Sequence, residues 1–230
     1  MLAVLKKEFK SYLLSPIGYV FIGLFLLMFS IFFMIGIFQY QSINFEYLFY
    51  NGATILTFVV PVLTMRMFSE ERRNGTEQLL LTSPRSITSI VFGKFFAAAL
   101  VMLITEIFTL MYFVILKYFG EPSLAVALTT LGGFFLLSMA YISFRMFASS
   151  ITENQIIACV VTIGVFIAMW FLPSINIGGA SIFKQFSLIS MFEKFPEGMI
   201  SISEVVTFVT FTILFILLTI IVLQRRKSVK

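Results

Sequence analysis

The chain has 230 residues and a net charge of +5, and 60% of its residues are hydrophobic whereas only 12% are charged. Its mean hydropathy is +1.03, and a soluble domain carries about 25% charged residues, so a soluble fold is excluded. One cysteine (Cys159) and no histidine exclude an intrachain disulfide, a His/Cys zinc site and a histidine base. The apolar runs are long enough for bilayer-spanning helices and lack strand-like alternation, which predicts an all-α membrane protein.

The first 14 residues have the pattern of a helix that lies in the membrane interface. Apolar residues recur at helical spacing at Leu2, Leu5, Phe9, Tyr12 and Leu13. The basic residues gather on the opposite side, at Lys6, Lys7 and Lys10. This separation predicts an amphipathic interfacial helix over 1–14, after which Ser15-Pro16 turns the chain into the first span. Alternatively, the lysines act only as topology determinants.

Six apolar segments follow, at about 17–38, 49–68, 90–116, 124–147, 156–172 and 205–223. The first is long enough to span a bilayer, and no small-residue cleavage site follows it, which favours a retained span over a signal peptide. With both termini cytoplasmic, 3 of the 16 Lys and Arg residues fall outside (Lys117, Lys184 and Lys194), which leaves 13 inside. This asymmetry predicts six transmembrane helices with cytoplasmic termini in the cell membrane.

The connection between spans 2 and 3, "SEERRNGTEQLLLTSPRS" at 69–86, is the longest densely charged stretch, yet it contains three consecutive leucines. Asn74 suits an N-cap, Glu77 suits the third helical position, and "TSP" at 82–84 ends a helix. We therefore predict a short cytoplasmic helix over 74–82. Its leucines meet a partner protein, because charged residues surround exposed apolar ones; alternatively, the segment is a loop whose leucines rest on the membrane.

Glu106 is the ionisable residue that lies well inside a predicted span, in "VMLITEIFTLMY". A carboxylate at mid-bilayer costs roughly 2.5–3.5 kcal/mol, so it should face protein or water, with Thr109 as its hydrogen-bond partner. Glu106 is either a functional polar group, in a transport path or at an interface between subunits, or it forms a structural hydrogen bond between helices. Pro61 and Gly132-Gly133 are expected to serve packing within spans 2 and 4.

Residues 173–204 form the one long outer connection. The segment is too apolar for a free loop and too interrupted for a span, which predicts a re-entrant-like segment in the outer leaflet. No internal repeat or linker is visible, so residues 1–230 form a single domain. No "GxxxxGK[ST]" phosphate loop occurs, so active transport would need an ion gradient or a separate ATPase subunit.

Four stretches of the chain resemble the membrane subunits of ABC-2-type transporters, in the order in which that family has them. They are the N-terminal "LKKEFKSYLLSPIGYVFIGLFLL", "MRMFSEERRNGTEQLLLTSPRS" between spans 2 and 3, "ASSITENQIIA" at 148–158 and the final "FEKFPEGMISISEVVTFVTFTILFILLTIIVLQRRK". Within the family the chain is most similar to permeases described for gliding motility.

The resemblance implies a permease subunit that is not itself an enzyme, in which 1–14 is the connecting helix and 74–82 the coupling helix. The residues implied to contact the ATPase subunit are Glu71, Arg72, Arg73, Asn74, Gly75, Thr76, Glu77, Gln78, Leu79, Leu80 and Leu81. The partner ATPase would bind ATP and Mg²⁺, and no cofactor, metal or catalytic residue is expected in this chain. A second permease subunit would complete a homo- or heterodimer, with membrane lipids around it.

The expected function is that of a permease of an ATP-driven exporter. Two alternatives from other classes remain open at this point. One is a non-transporting membrane scaffold or sensor that recruits a cytoplasmic partner through the same helix. The other is an ion-coupled carrier that uses Glu106.

Overall fold

The computed structural model describes residues 1–40, 45–64, 67–73, 75–76, 85–119, 122–171 and 187–229. Within these ranges the chain forms helices and no strand, which confirms the all-α fold class. In chain order the helices are α1 (Leu2–Leu14), α2 (Pro16–Tyr40), α3 (Phe45–Thr64), α4 (Ser69–Arg73), α5 (Ile87–Phe119), α6 (Leu124–Ile151), α7 (Gln155–Phe171), α8 (Leu188–Phe192) and α9 (Ile202–Val229).

Five helices, namely α2, α3, α5, α6 and α9, are long and apolar enough to cross a membrane. This makes the chain a multi-pass membrane protein. The sixth apolar helix, α7, has 17 residues. At about 1.5 Å per residue its length is slightly below the roughly 30 Å of a hydrocarbon core. The count of six spans therefore stays a prediction.

A helix forms over the predicted range as α1, and part of its apolar side packs on α5 and the core. Val4 contacts Gly93 of α5, and a Cβ atom at Gly93 would lie 2.8 Å from Val4 Cγ1 and 3.2 Å from Leu5 N. Phe9 packs against the core, and Tyr12 is 8% exposed. The exposed part of α1 carries Lys6, Lys7 and Lys10, with Leu2 and Leu14 exposed at its two ends.

Phenylalanines from four helices form the centre of the fold. The ring centroids of Phe25 and Phe29 on α2 are 4.6 Å apart, and Phe29 lies 5.3 Å from Phe49 on α3. Phe49 lies 4.9 Å from Phe134 on α6, which in turn lies 5.8 Å from Phe192 on α8. Each such pair stabilises the fold by about 0.5–1.5 kcal/mol beyond its burial. A large share of the chain's 30 phenylalanines therefore holds helices together.

The described part of the outer connection covers the first turns of α6. Ser187 caps α8 by accepting a hydrogen bond from Ser190 N. Phe195 then lies against Gly133, where a Cβ atom would overlap its ring, and the Thr129 hydroxyl donates to the Phe195 carbonyl at 3.1 Å. Gly133 thus serves packing, as expected, whereas a Cβ atom at Gly132 would meet nothing within 4 Å. Residues 173–186 of the predicted re-entrant segment lie outside the described residues.

Helix α9 runs along α6. Phe215 on α9 contacts Phe144 and Phe147 on α6, with ring centroids 4.9 and 5.4 Å apart. This packing brings the last turns of the two helices together, next to α4 and the start of α5. The same end of the molecule holds α1.

Candidate functional site

Charged and polar side chains from four helices meet at this end. The cluster consists of Glu8 on α1, Glu71 and Arg72 on α4, Lys94 on α5 and Ser149 on α6, and we call it the polar junction. Its members are joined by hydrogen bonds and ion pairs. The polar junction is therefore where the short helix α4 is attached to the spanning helices.

Lys94 is the buried centre of the polar junction. It lies in the second turn of α5 and is only 2% exposed. Its Nζ donates to Glu71 Oε1 at 2.7 Å and lies 3.2 Å from Glu8 Oε1. The same amino group lies 5.5 Å from the centre of the Phe68 ring. Because a buried charge is tolerated only when it is paired, these two carboxylates make Lys94 the link between α1, α4 and α5.

Gly93 explains how α1 comes close enough for this ion pair. Since any larger residue at Gly93 would collide with Val4, the absence of a side chain lets α1 lie directly on α5. Glu8 is one helical turn beyond Val4 on the same face of α1. The close approach therefore positions the Glu8 carboxylate over Lys94, the residue that follows Gly93.

The beginning of α4 is held by a side chain from a distant helix. Ser149 Oγ accepts hydrogen bonds from the backbone N–H groups of Phe68 at 3.2 Å and Ser69 at 3.0 Å. It also donates to Ser69 Oγ at 3.2 Å. The first N–H groups of a helix have no partner within the helix, so Ser149 does from α6 what an N-cap residue usually does from the chain itself.

The end of α4 is held by Arg72. Its guanidinium donates to the carbonyls of Ile151 at 3.1 Å and Ser150 at 3.4 Å, and lies 3.9 Å from a carboxylate oxygen of Glu153. Arg226 of α9 also donates to the Ile151 carbonyl, at 3.2 Å. Positive charge at the free carbonyls of a helix C-terminus is favourable, so two arginines tie α4 and α9 to the end of α6.

A cleft of about 230 Å³ lies between α1 and α4. It is lined by Lys7, Glu8, Ser11, Tyr12, Ser15, Glu70, Glu71, Thr76 and Lys94. Burial raises the pKa of the Tyr12 hydroxyl above its usual range, and the nearby carboxylates of Glu8, Glu71 and Glu70 raise this pKa further. Tyr12 therefore stays neutral at physiological pH and lines, without charge, a cleft that also holds five charged side chains.

The predicted coupling residues divide into two groups. Glu71, Arg72 and Arg73 lie in α4, and Gly75 and Thr76 follow it, with Gly75 at φ +71° and the Thr76 hydroxyl bound to the Glu71 carbonyl at 3.1 Å. Asn74, Glu77, Gln78 and the leucines Leu79, Leu80 and Leu81 lie outside the described residues. The helix over 74–82 therefore stays a prediction, whereas the helix at Ser69–Arg73 just before it was not predicted.

Glu106 lies in the middle of α5 and is 4% exposed. The expected hydrogen bond from Thr109 to its carboxylate is wrong, because the Thr109 hydroxyl donates to the Glu106 backbone carbonyl at 2.6 Å. The hydroxyl of a threonine in a helix can donate to the backbone carbonyl one turn before it, and Thr109 makes this bond instead of one to the Glu106 carboxylate. In the described part of the chain no group hydrogen-bonds to Glu106 Oε1.

Two buried cations were missed by the sequence analysis, which counted Lys94 and Arg145 only as topology charges. Arg145 is fully buried near the end of α6, and its Nη2 donates to the Gln155 carbonyl at 3.5 Å. The available signal for Lys94 was its position in "VFGKFFAAAL", where apolar residues lie on both sides of it. The contacts of Lys94 with Glu8 and Glu71 could not be read from that pattern.

Residues 38–223 match the protein-family model described as "ABC-2 family transporter protein". This range covers most of the chain and includes α3 to α8 and most of α9. The chain belongs to the ABC-2 family of transporter proteins. A search of curated protein sequences gave no match. In this ABC-2 protein Glu71, Lys94 and Ser149 lie within the matched range, whereas Glu8 and the rest of α1 precede it. The similarity to gliding-motility permeases stays a prediction.

Proposed function

We propose that this ABC-2 permease subunit belongs to an ATP-driven exporter, and that separate ATPase subunits drive it through α4 and the segment that follows. The coupling surface comprises 71–81, with Leu79, Leu80 and Leu81 as its apolar contact. Both termini are cytoplasmic, the membrane is the cell membrane, and a second permease subunit completes a dimer. The partner ATPase binds ATP and Mg²⁺, because the 230 residues contain no phosphate-binding loop.

The observation that carries this proposal is the way α4 is attached. Its start is bound by Ser149, its middle by Lys94 through Glu71, and its end by the α6 carbonyls through Arg72. A helix of five residues has too few internal hydrogen bonds to be stable alone. Its position is therefore set by α5 and α6, and a displacement of α4 must displace these two spanning helices.

The contact of α1 with the same junction supports a role in force transfer. Glu8 shares the Lys94 amino group with Glu71, so α1 and α4 are fixed to one point on α5. Because α1 continues through Ser15 into α2, a movement at α4 also reaches the first spanning helix. Three spanning helices are thus linked to the segment that the proposal assigns to the ATPase.

The charge distribution supports the proposed orientation. The lysines of α1, the arginines of α4 and the basic end of α9 all lie at the end of the molecule that holds the polar junction. Lys117 and Lys194 lie at the opposite end, at the end of α5 and in the outer connection. Positively charged residues are retained on the cytoplasmic side of membranes, which favours a cytoplasmic junction.

The test is co-purification of the partner ATPase with this chain. We expect the triple substitution Leu79→Ser, Leu80→Ser and Leu81→Ser to abolish co-purification while membrane insertion stays normal. The matched control is a triple serine substitution of three exposed apolar residues at the opposite end, Met199, Ile200 and Ile202. The control is expected to retain the ATPase.

An unchanged yield of the ATPase with the first variant would refute the coupling assignment. Loss of the ATPase with both variants would point to a general defect in the membrane subunit. Co-purification with no stimulation of ATP hydrolysis under any condition would favour a scaffold or sensor over a transporter.

A further inference from the structure

The side of α1 that faces away from α5 carries three lysines. Lys6 and Lys10 are four residues apart, and Lys7 and Lys10 three apart, so they share one face of the helix. All three are exposed, and Lys7 is 73% exposed. We call Lys6, Lys7 and Lys10 the lysine face. Lys6 and Lys10 lie away from the face of Val4, Glu8 and Tyr12, which contacts α5 and α4, and Lys7 lies at the edge that borders the cleft.

The lysine face carries three positive charges that nearby carboxylates neutralise only in small part. The one carboxylate of α1, Glu8, lies 4.0 Å from Lys7 but is held at 3.2 Å by the buried Lys94. Neither Lys6 nor Lys10 forms an ion pair within the described residues. The partner that this face fits is therefore an anion.

Apolar residues at both ends of α1 place the lysine face beside a membrane. Leu2 and Leu14 are 75% and 74% exposed and flank the lysines. Apolar residues beside lysines are typical of helices that lie at the boundary between headgroups and acyl chains. An acidic surface of a soluble protein would satisfy the lysines but would leave these two leucines without an apolar contact.

The turn between α1 and α2 determines how far α1 lies from the level of the lipid headgroups. A Cβ atom at Gly18 would overlap the carbonyl oxygen of Tyr12, so the two helices meet in a tight turn. Tyr19, in the first turn of α2, is 64% exposed. Exposed tyrosines are enriched at the level of lipid headgroups. The lysine face therefore lies within one or two turns of that level.

We propose that the lysine face of α1 binds the anionic phospholipid headgroups of the leaflet beside the polar junction. The bound headgroups hold α1 against the membrane surface, while Glu8 on its other face holds Lys94. Negative lipid charge thereby stabilises the attachment of α1 to α5 and α4. This inference goes beyond the proposed function, because it concerns the isolated membrane subunit and requires no ATPase.

The test is thermal unfolding of the purified full chain in mixed micelles titrated with phosphatidylglycerol or with phosphatidylcholine. We expect phosphatidylglycerol to raise the unfolding temperature at lower concentration than phosphatidylcholine does, and added salt to weaken this effect. Each lysine near an anionic surface strengthens binding about fivefold. The variant K6Q/K7Q/K10Q should need on the order of 100-fold more phosphatidylglycerol for the same rise.

Two control variants separate lipid binding from a general effect of charge or folding. K6R/K7R/K10R keeps the charge and should behave as the unmodified chain. Lys117→Gln removes one exposed lysine at the opposite end and should leave the phosphatidylglycerol dependence unchanged. Equal stabilisation by the two lipids, or an unchanged phosphatidylglycerol dependence in K6Q/K7Q/K10Q, would overturn the proposal. So would a K6Q/K7Q/K10Q variant that keeps this dependence but loses the ATPase, because the face would then belong to that protein.

Discussion

Lys94 shows how one residue can connect three helices. Two carboxylates from different parts of the chain lie within 3.2 Å of its amino group, and almost no water reaches it. The carboxylates themselves are 16% and 19% exposed, so each keeps some hydration. Much of the attachment of α1 and α4 to α5 therefore depends on one positive charge.

The substitution Lys94→Met should weaken the fold strongly. It leaves Glu8 and Glu71 facing each other across a methionine, without the cation between them. Breaking a buried pair costs about 3–5 kcal/mol, and the partial exposure of the carboxylates favours the lower end of that range. The free energy of unfolding in mixed micelles would measure this loss.

The matched control for Lys94→Met is Lys117→Met, which changes an exposed lysine at the far end of the same helix. It should alter stability by less than about 0.5 kcal/mol. Equal stability of the two variants would show that the ion pairs of Lys94 contribute nothing.

At the scale of helices, α4 is an element whose ends are determined by other helices. Ser149 accepts hydrogen bonds from the N–H groups at the beginning of α4. At the other end of α4, Arg72 donates to the Ile151 carbonyl at the end of α6. A short charged helix in this position is stable because α6 completes its hydrogen bonds.

Ser149→Ala should therefore loosen α4 without disturbing the spanning helices. Loss of an N-cap acceptor costs about 1 kcal/mol. Hydrogen exchange of the amides at Phe68 and Ser69, measured on the full chain, should become faster, whereas the amides in the middle of α6 should not change. The chain offers a control in Ser123, the N-cap position of α6, whose side chain makes no capping hydrogen bond. If Ser123→Ala accelerated exchange at α4 as much as Ser149→Ala, the contact with Ser149 would not be what holds α4.

The elements that could be predicted from the sequence are those defined by long apolar periodicity. Five spanning helices and α1 were predicted to within about four residues, apart from the end of α9, which extends six residues past the predicted 223. Twenty apolar residues, or a helix with one apolar and one polar side, leave a local pattern in the sequence. Helix α4 leaves no such pattern in the sequence, because Ser149, which binds the backbone N–H of Ser69, is 80 residues away along the chain. From the sequence, Lys94 was interpreted only as a topology charge. Its pairing with Glu8 and Glu71 depends on contacts between helices, which no local pattern records.

The start of α3 shows a similar limit. The second span was predicted from 49, but the helix begins at Phe45, which is fully buried. Phe45 packs on Phe49 and Phe113, with ring centroids 4.9 and 5.3 Å apart. Glu46 interrupts the apolar pattern and concealed this first turn. Contacts with α5, rather than hydropathy, therefore place Phe45 within α3.

On the scale of the whole molecule, the two ends of the protein differ in chemistry. At one end Phe192 and Phe195 pack over the first turns of α6, whereas the other end carries the polar junction, the cleft and the lysine face. The ABC-2 family match, over residues 38–223, includes parts of both ends. This polarity suits a membrane subunit that is driven from one side.

A cross-linking measurement tests most directly whether the ATPase acts on the α4 end. Cys159 is first replaced by serine, and a single cysteine is introduced at Thr76, which is exposed just after α4, or at Glu197, exposed at the opposite end. Each cysteine then carries a photoreactive maleimide in membranes that contain the ATPase. We expect a cross-link to the ATPase from position 76 and none from position 197. A cross-link from 197, or none from 76 while the ATPase still co-purifies, would contradict it.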